Sequence, residues 1–184
     1  GTVSPEHATR IMEDKAKRFA LATAGLPRPT FEVKKYRSCR GMEGTAWSCD
    51  IYVNGKLAVY VRDDGNGGAL WLDWSPSSPK NNMHESPVRD AVEAYAKSIP
   101  AFPYHGHPMT FDLELLIGEV VEEHAEGIDI AKKCAKGVPF QTADDLDGEW
   151  RIMSGYFTVT LRKHIIEKFG ESVVFAHEKY GKGS

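Results

Sequence analysis

The fold is decided by residues 46–74, AWSCDIYVNGKLAVYVRDDGNGGALWLDW. Apolar and polar residues alternate up to Asn54-Gly55 and alternate again after it. Asn-Gly between two such runs is the strongest short hairpin signal, because a type I′ turn needs a positive φ at both central residues. The stretch therefore predicts antiparallel strands at residues 47–53 and 56–62, joined by this turn.

The strands on either side extend this hairpin into a meander. A second turn, Asp63-Asp64-Gly65-Asn66-Gly67-Gly68, precedes a predicted strand at residues 69–74. Before the hairpin, residues 30–38 alternate Phe31 and Val33 against polar neighbours, which predicts another strand. Successive antiparallel strands leave one face of the sheet to pack on helices.

Two amphipathic segments supply those helices. Ser86-Pro87 begins a predicted helix over residues 86–98, and Thr110 can cap the strongest helix, over residues 110–126. Residues 101–109 contain prolines and His105-Gly106-His107, so we expect no regular structure there. The predicted fold class is α+β, an antiparallel β-meander packed on one face by two or three helices. Further along, the pattern predicts strands at 138–142, 150–153 and 172–176 and a helix at 159–169.

Length and the N-terminal pattern predict the domain organisation. Residues 1–29 are expected to form a basic amphipathic helix that starts at Ser4-Pro5, and residues 30–184 a single α+β domain. A chain of 184 residues is long enough to bury one core without staples. The 41% hydrophobic and 27% charged residues exclude the disordered and fibrous classes.

Cysteine usage and hydropathy predict the compartment. Three cysteines are too few, and odd in number, for a disulfide framework, which fits a reducing compartment. The chain has neither a transmembrane-length apolar run nor a signal-peptide pattern at its start. We therefore expect a cytoplasmic protein without a membrane partner.

Charge is distributed unevenly along the chain. Residues 1–40 carry nine Lys and Arg against four Asp and Glu, whereas residues 112–129 hold seven acids and no Lys or Arg. Such asymmetry affects association more than it affects fold. It favours a function in which the protein meets a charged partner.

The glycine-rich turn could hold a cation through Asp63 and Asp64, because hard cations take oxygen ligands. Its spacing matches neither an EF-hand nor a phosphate-binding loop, so a plain hairpin turn is favoured. A zinc site would need closer pairs than the chain offers, so no metal and no cofactor is predicted. The zinc donors considered are Cys39, Cys49, His84, His105 and His107.

Two other groups are candidate binding residues. One helix carries acids at i, i+3 and i+4 spacing, which is typical of a solvated face and also suits contact with a basic protein groove. Trp71 and Trp74 have opposite parity in the fourth strand, so at least one should be exposed, and exposed aromatics are common interface anchors. The predicted binding residues are Asp63, Asp64, Trp71, Trp74, Glu119, Glu122, Glu123 and Glu126.

A basic segment in the first strand offers a third possibility. Lys34, Lys35, Arg37 and Arg40, with Tyr36 between them, could contact nucleic acid through phosphates and stacking. The segment contains no recognised nucleic-acid motif, and the pI of about 6.2 argues against a dedicated nucleic-acid binder. The alternative is a charged edge strand whose lysines prevent aggregation.

Residues 50–56, DIYVNGK, followed by residues 61–68, VRDDGNGG, resemble an uncharacterised family of small bacterial and phage proteins. Residues 91–96, AVEAYA, and 115–121, LLIGEVV, are also similar to it, and the resemblance covers residues 30–177. It implies a phage or mobile-element setting. Small proteins of that kind often bind a host protein, including a defence system.

No Gly-x-Ser-x-Gly or His-Glu-x-x-His motif is present, and enzymatic activity is not favoured. The predicted function is a non-enzymatic protein-binding module of phage or mobile-element origin, with inhibition of a host defence protein as one form of it. The alternative is a metal-dependent enzyme acting on nucleic acid or nucleotides. Asp50, Asp63, Asp64 and the histidines are its candidate residues.

Overall fold

The computed structural model describes residues 22–23, 25–146 and 148–180. The predicted N-terminal helix therefore lies mostly outside the described residues. The described chain divides into two compact units. The meander unit contains residues 22–102 and 108–122, and the C-terminal unit contains residues 103–107 and 123–180. The prediction of a single domain over residues 30–184 stays a prediction.

The meander unit is built on a four-stranded antiparallel sheet in the order β1-β2-β3-β4, as predicted. Asn54 (φ 51°) and Gly55 (φ 84°) form the turn between β2 and β3, which confirms the hairpin signal. The fourth strand is shorter than predicted. The strands are β1 (Phe31–Arg40), β2 (Thr45–Val53), β3 (Lys56–Asp63) and β4 (Trp71–Asp73).

One face of the sheet is buried beneath helices, as the α+β prediction requires. Cys49, Ile51 and Val61 are at most 4% exposed on that face. The first described helix of full length, α1, spans Pro87–Ser98, and Ser86 caps it by accepting a hydrogen bond from the Arg89 backbone N–H (3.0 Å). Buried side chains after the sheet complete the core: Trp74, Val92, Tyr95, Ala96, Ile99, Phe102, Phe111, Leu116, Ile117, Val120 and Val121.

The long helix α2 spans Leu113–Lys133 without interruption. Asp112 is its cap, accepting from the Leu115 N–H (2.8 Å), so the prediction of Thr110 as the cap is wrong. A capping side chain accepts from the N–H of the third helical residue, which here is Leu115. The residue three positions before Leu115 is Asp112, not Thr110. Gly127 does not break the helix. It leaves room for the Tyr180 ring, which would lie 3.0 Å from an added Cβ.

Residues 101–109 correct the sequence prediction, which expected no regular structure. They form a two-stranded hairpin of β5 (Phe102–Tyr104) and β6 (His107–Met109). His105 (φ 49°) and Gly106 (φ 77°) take the positive φ values that Asn54 and Gly55 take in the first hairpin. Histidine is one of the few side chains that adopt this conformation readily, so His-Gly replaces Asn-Gly here.

The C-terminal unit contains a three-stranded antiparallel sheet in the order β8-β7-β9. Its own core consists of Val138, Phe140, Ile165 and Phe175. No helix in the described part of the chain is both long enough and apolar enough to cross a bilayer. The elements are β7 (Val138–Gln141), β8 (Arg151–Met153), α3 (Val159–Phe169), β9 (Val174–Phe175) and α4 (Ala176–Lys179).

Candidate functional site

The face of the meander opposite the buried core carries polar and aromatic side chains in rows. Residues directly opposite each other in an antiparallel sheet share a face. Arg37 is opposite Ser48, Ser48 is opposite Arg62, and Arg62 is opposite Trp71, which makes one row across all four strands. We call this surface the outer face. Its other members follow from the same register: Glu32, Lys34, Asp50, Tyr52, Tyr60 and Asp73.

Cations stack on aromatic rings of the outer face. The Arg62 guanidinium lies 5.0 Å from the centroid of the Trp71 ring, and Lys34 Nζ lies 4.2 Å from that of Tyr52. Trp71 is 50% exposed and Tyr60 40% exposed, unusual values for large rings on a regular sheet. Trp, Tyr and Arg are the residues that most often dominate the binding energy of protein interfaces.

Of the outer-face cations, Lys34 and Arg62 are matched by acids, as is Lys35 beside this face, whereas Arg37 forms no ion pair with a residue that the structure describes. Lys34 Nζ lies 3.6 Å from Glu32 Oε1, and Lys35 Nζ lies 3.9 Å from Asp50 Oδ2. Arg62 Nε lies 2.9 Å from Asp64 Oδ1. The surface is therefore mixed in charge, which is a poor match for a row of phosphates.

The basic segment that the sequence suggested for nucleic acid is part of β1. Lys35 (φ 54°) lies where the β1-β2 register shifts, between Lys34 and Arg37. A bulge interrupts the regular hydrogen bonding of a strand, and both bulges and lysines on an edge strand oppose aggregation with other chains. Arg40, the last residue of β1, lies opposite Thr45. The geometry agrees with the edge-strand interpretation of these cations.

The glycine-rich turn is held by its own contacts. Asp63 Oδ1 accepts a hydrogen bond from the Gly65 N–H (2.8 Å), and Asp64 pairs with Arg62 as described. The Gly65 carbonyl accepts from the Glu43 N–H (3.0 Å), so the turn packs backbone to backbone against the loop after β1. Asp63 and Asp64 thus shape the turn, which agrees with the hairpin interpretation.

Metal ligands do not converge within the described residues: no three His, Cys, Asp or Glu side chains are grouped so as to hold an ion. The carboxylate of Asp50, a candidate ligand, lies beside the ammonium group of Lys35. Cys49 is buried, and burial together with the neighbouring Asp50 raises the pKa of its thiol to about 12. Cys49 is therefore a core residue whose thiol is protonated at neutral pH.

Trp71, in β4, and Trp74, just after it, differ in exposure. This difference confirms the prediction that at least one of the two is exposed. Trp71 lies on the outer face, whereas Trp74 is 8% exposed in the core. The Trp74 indole N–H has no acceptor among the described residues. Trp71 is therefore available as an interface anchor, whereas Trp74 is a core residue.

The acids predicted as one solvated face of α2 differ in exposure. In the meander unit, Glu119 is 7% exposed, so the prediction that it belongs to a solvated face is wrong, whereas Glu122 is exposed. The reason is that Glu119 lies at the border of the wide buried arc of α2, which includes Leu116 and Val120. In the C-terminal unit, Glu123 is exposed, and Glu126 accepts a hydrogen bond from the Trp150 indole (3.3 Å).

Sequence reasoning did not single out Arg62. The alternation of side chains along a strand could in principle have assigned this residue to a face, by counting outward from the Asn54-Gly55 turn. A shift of register between Ile51 and Tyr52 interrupts that count, and only the structure reveals it. Comparison with protein-family models, with curated proteins and with solved structures finds no match for this chain.

Proposed function

We propose that this protein is a non-enzymatic binding module that contacts a partner protein through the outer face of its meander. The observation that carries the proposal is the stack of Arg62 on a half-exposed Trp71. A stacked cation and ring on a regular sheet present a large, rigid contact area that loses little side-chain entropy on binding. Tyr60 extends this area on the neighbouring row.

The charge pattern favours a protein over a nucleic acid. A phosphate backbone is bound by cations whose charge is available to it. On the outer face, Lys34 and Arg62 each have a carboxylate within 4 Å, and so does Lys35 beside it. A partner surface that also mixes acids, bases and aromatic rings complements such a pattern better.

The biological setting is part of the same proposal. We infer a phage or mobile-element origin from the resemblance described for residues 30–177, and inhibition of a host defence protein is the action that we favour. The metal-dependent enzyme, the alternative, has no comparable support, because the candidate aspartates contact cations or the turn backbone.

The test compares captured proteins across variants of the tagged chain in a bacterial host lysate. Trp71→Ala and Arg62→Ala should each reduce capture of a specific partner at least about tenfold, as expected of anchor residues. Tyr156→Ala is the matched control, since Tyr156 is 88% exposed and belongs to the C-terminal unit. Capture that is equal in all variants, or lost only with Tyr156→Ala, contradicts the proposal.

A further inference from the structure

A cavity of about 370 Å³ opens between the edge strand β4 and the start of α1, within the meander unit. Five of its eight lining residues are apolar or aromatic: Trp71, Leu72, Trp74, Met83 and Leu113. A volume of this size lies at the lower end of the range found for ligand sites, about 300–1,000 Å³. It is large enough for one bulky side chain, and too small for a folded element.

The cavity is continuous with the outer face through Trp71. This residue is in register with Arg62 on the outer face and also lines the cavity. Met83, on the other side, is 65% exposed. A chain segment lying on the outer face can therefore reach the cavity without leaving the surface.

Three side chains that can carry charge also line the cavity: Arg89, His84 and Asp73. Arg89 and His84 both line it and are both exposed. The Arg89 side chain forms no ion pair with any residue that the structure describes, in contrast to Arg62 and Lys34, which do. Asp73 also lines the cavity, but its Oδ1 accepts from the Ser75 N–H (3.0 Å).

Trp74 lines the cavity as an apolar surface. This side chain is more than nine-tenths buried, and its indole N–H, which lacks an acceptor among the described residues, is itself buried and does not face the cavity opening. An occupant therefore meets the ring of Trp74 and not its N–H.

We propose that the cavity accepts an apolar side chain of the partner protein, and that an adjacent Asp or Glu of the same segment pairs with Arg89. This inference rests on the proposed function, because it names the chemistry of the segment that the outer face binds. Charge complementarity selects the acidic residue, and the aromatic walls select the apolar one.

The test is a selection of random 12-residue displayed peptides on the full chain and on Arg89→Glu. Peptides enriched on the unchanged chain should carry an apolar residue next to Asp or Glu. Arg89→Glu should switch that neighbour to Lys or Arg, and should weaken an acidic winning peptide at least about tenfold while a charge-swapped peptide regains binding. Lys97→Glu is the matched control on the same helix, since Lys97 is exposed there and does not line the cavity.

Three outcomes would overturn the inference: no enriched sequence, enriched sequences without an acid, or an acidic preference that Arg89→Glu leaves unchanged. Thermal unfolding of each variant confirms that it is folded. A Tyr60→Ala variant separates the two proposals, because Tyr60 does not line the cavity. If that variant loses the captured partner while Arg89→Glu changes no preference, the proposed function stands and the cavity assignment fails.

Discussion

The two strand cysteines behave differently because burial separates them. Cys39 is exposed at the end of β1, whereas Cys49 is buried in β2. Burial, with Asp50 beside it, raises the pKa of the Cys49 thiol from 9.0 to about 12. In the unfolded chain the thiol ionises near pH 9, so the folded state holds more protons between pH 9 and 12.

The Cys49 thiol should therefore make the free energy of unfolding fall as pH rises from about 9 towards 12. Cys49→Ala should show a shallower fall over the same range, and denaturant titrations at several pH values measure the difference. Identical slopes in the two proteins would contradict the assignment. At neutral pH, thiol labelling of the folded protein should modify Cys39 and spare Cys49.

Gly65 is a second residue whose identity the structure explains. Its φ is +71°, and an added Cβ would lie 2.8 Å from the Ala46 backbone nitrogen. Gly65→Ala should therefore lower the free energy of unfolding by about 1–3 kcal/mol, from strain and from the displaced backbone. Gly44→Ala is the control, since nothing lies within 4 Å of a Cβ there. Equal stability of the two variants in urea unfolding would show that the close approach is not required.

Among the elements, the carboxylate of Asp145 ties the start of the β7-β8 connection to β8. Asp145 accepts hydrogen bonds from Arg151 Nε (2.9 Å) and from the Thr142 N–H (2.8 Å). Burial acts to raise the pKa of Asp145, but the hydrogen bonds from Arg151 and Thr142 outweigh it, and the pKa is lowered. The stabilisation is complete above the ordinary pKa of 3.8 and is lost as pH falls through the lowered folded value.

Asp145→Asn should destabilise the protein by about 1–3 kcal/mol at pH 7, because charge-assisted hydrogen bonds are replaced by neutral ones. The difference from the unchanged chain should shrink as pH falls below 3.8. Asp144→Asn, on an exposed neighbour, is the control. Urea unfolding at pH 7 and pH 3 provides the measurement, and a penalty that does not change with pH would contradict the role of the charge.

Elements with strong local signals were predicted from the sequence. The Asn54-Gly55 turn requires positive φ at two positions, and that requirement alone fixes the first hairpin. His105-Gly106 forms a turn of the same kind, but the sequence did not predict it. The reason is that prolines flank this turn, and a proline argues against a strand unless the strand is known to lie at an edge. β4 begins later than predicted because pairing with β3 extends only over Trp71–Asp73.

The candidate site could be predicted only in part, since it depends on tertiary register. Parity within the predicted fourth strand, which needs no partner, indicated that at least one of Trp71 and Trp74 would be exposed, but not which one. Arg62 gains its role only from its position opposite Trp71, which is a property of two strands. Glu119 was misplaced because helical spacing cannot show that α2 is buried over a wide arc.

On the scale of the whole molecule, each compact unit has its own core, and the exposed aromatic stack belongs to the meander unit. The formal net charge of −3 is not concentrated on the outer face, where Lys34 and Arg62 pair with acids. Association through this face should therefore depend on its rings and on shape, and only weakly on salt.

The most direct test of the central claim is photo-cross-linking in the bacterial host. Replacing Tyr60 by p-benzoylphenylalanine puts a larger, photoreactive aromatic side chain on the outer face, and the same replacement at Tyr156 is the control in the C-terminal unit. The expected result is one discrete protein cross-link from position 60, absent from position 156 and abolished by Trp71→Ala. Cross-links to nucleic acid, or a protein cross-link from position 156 alone, would contradict the account.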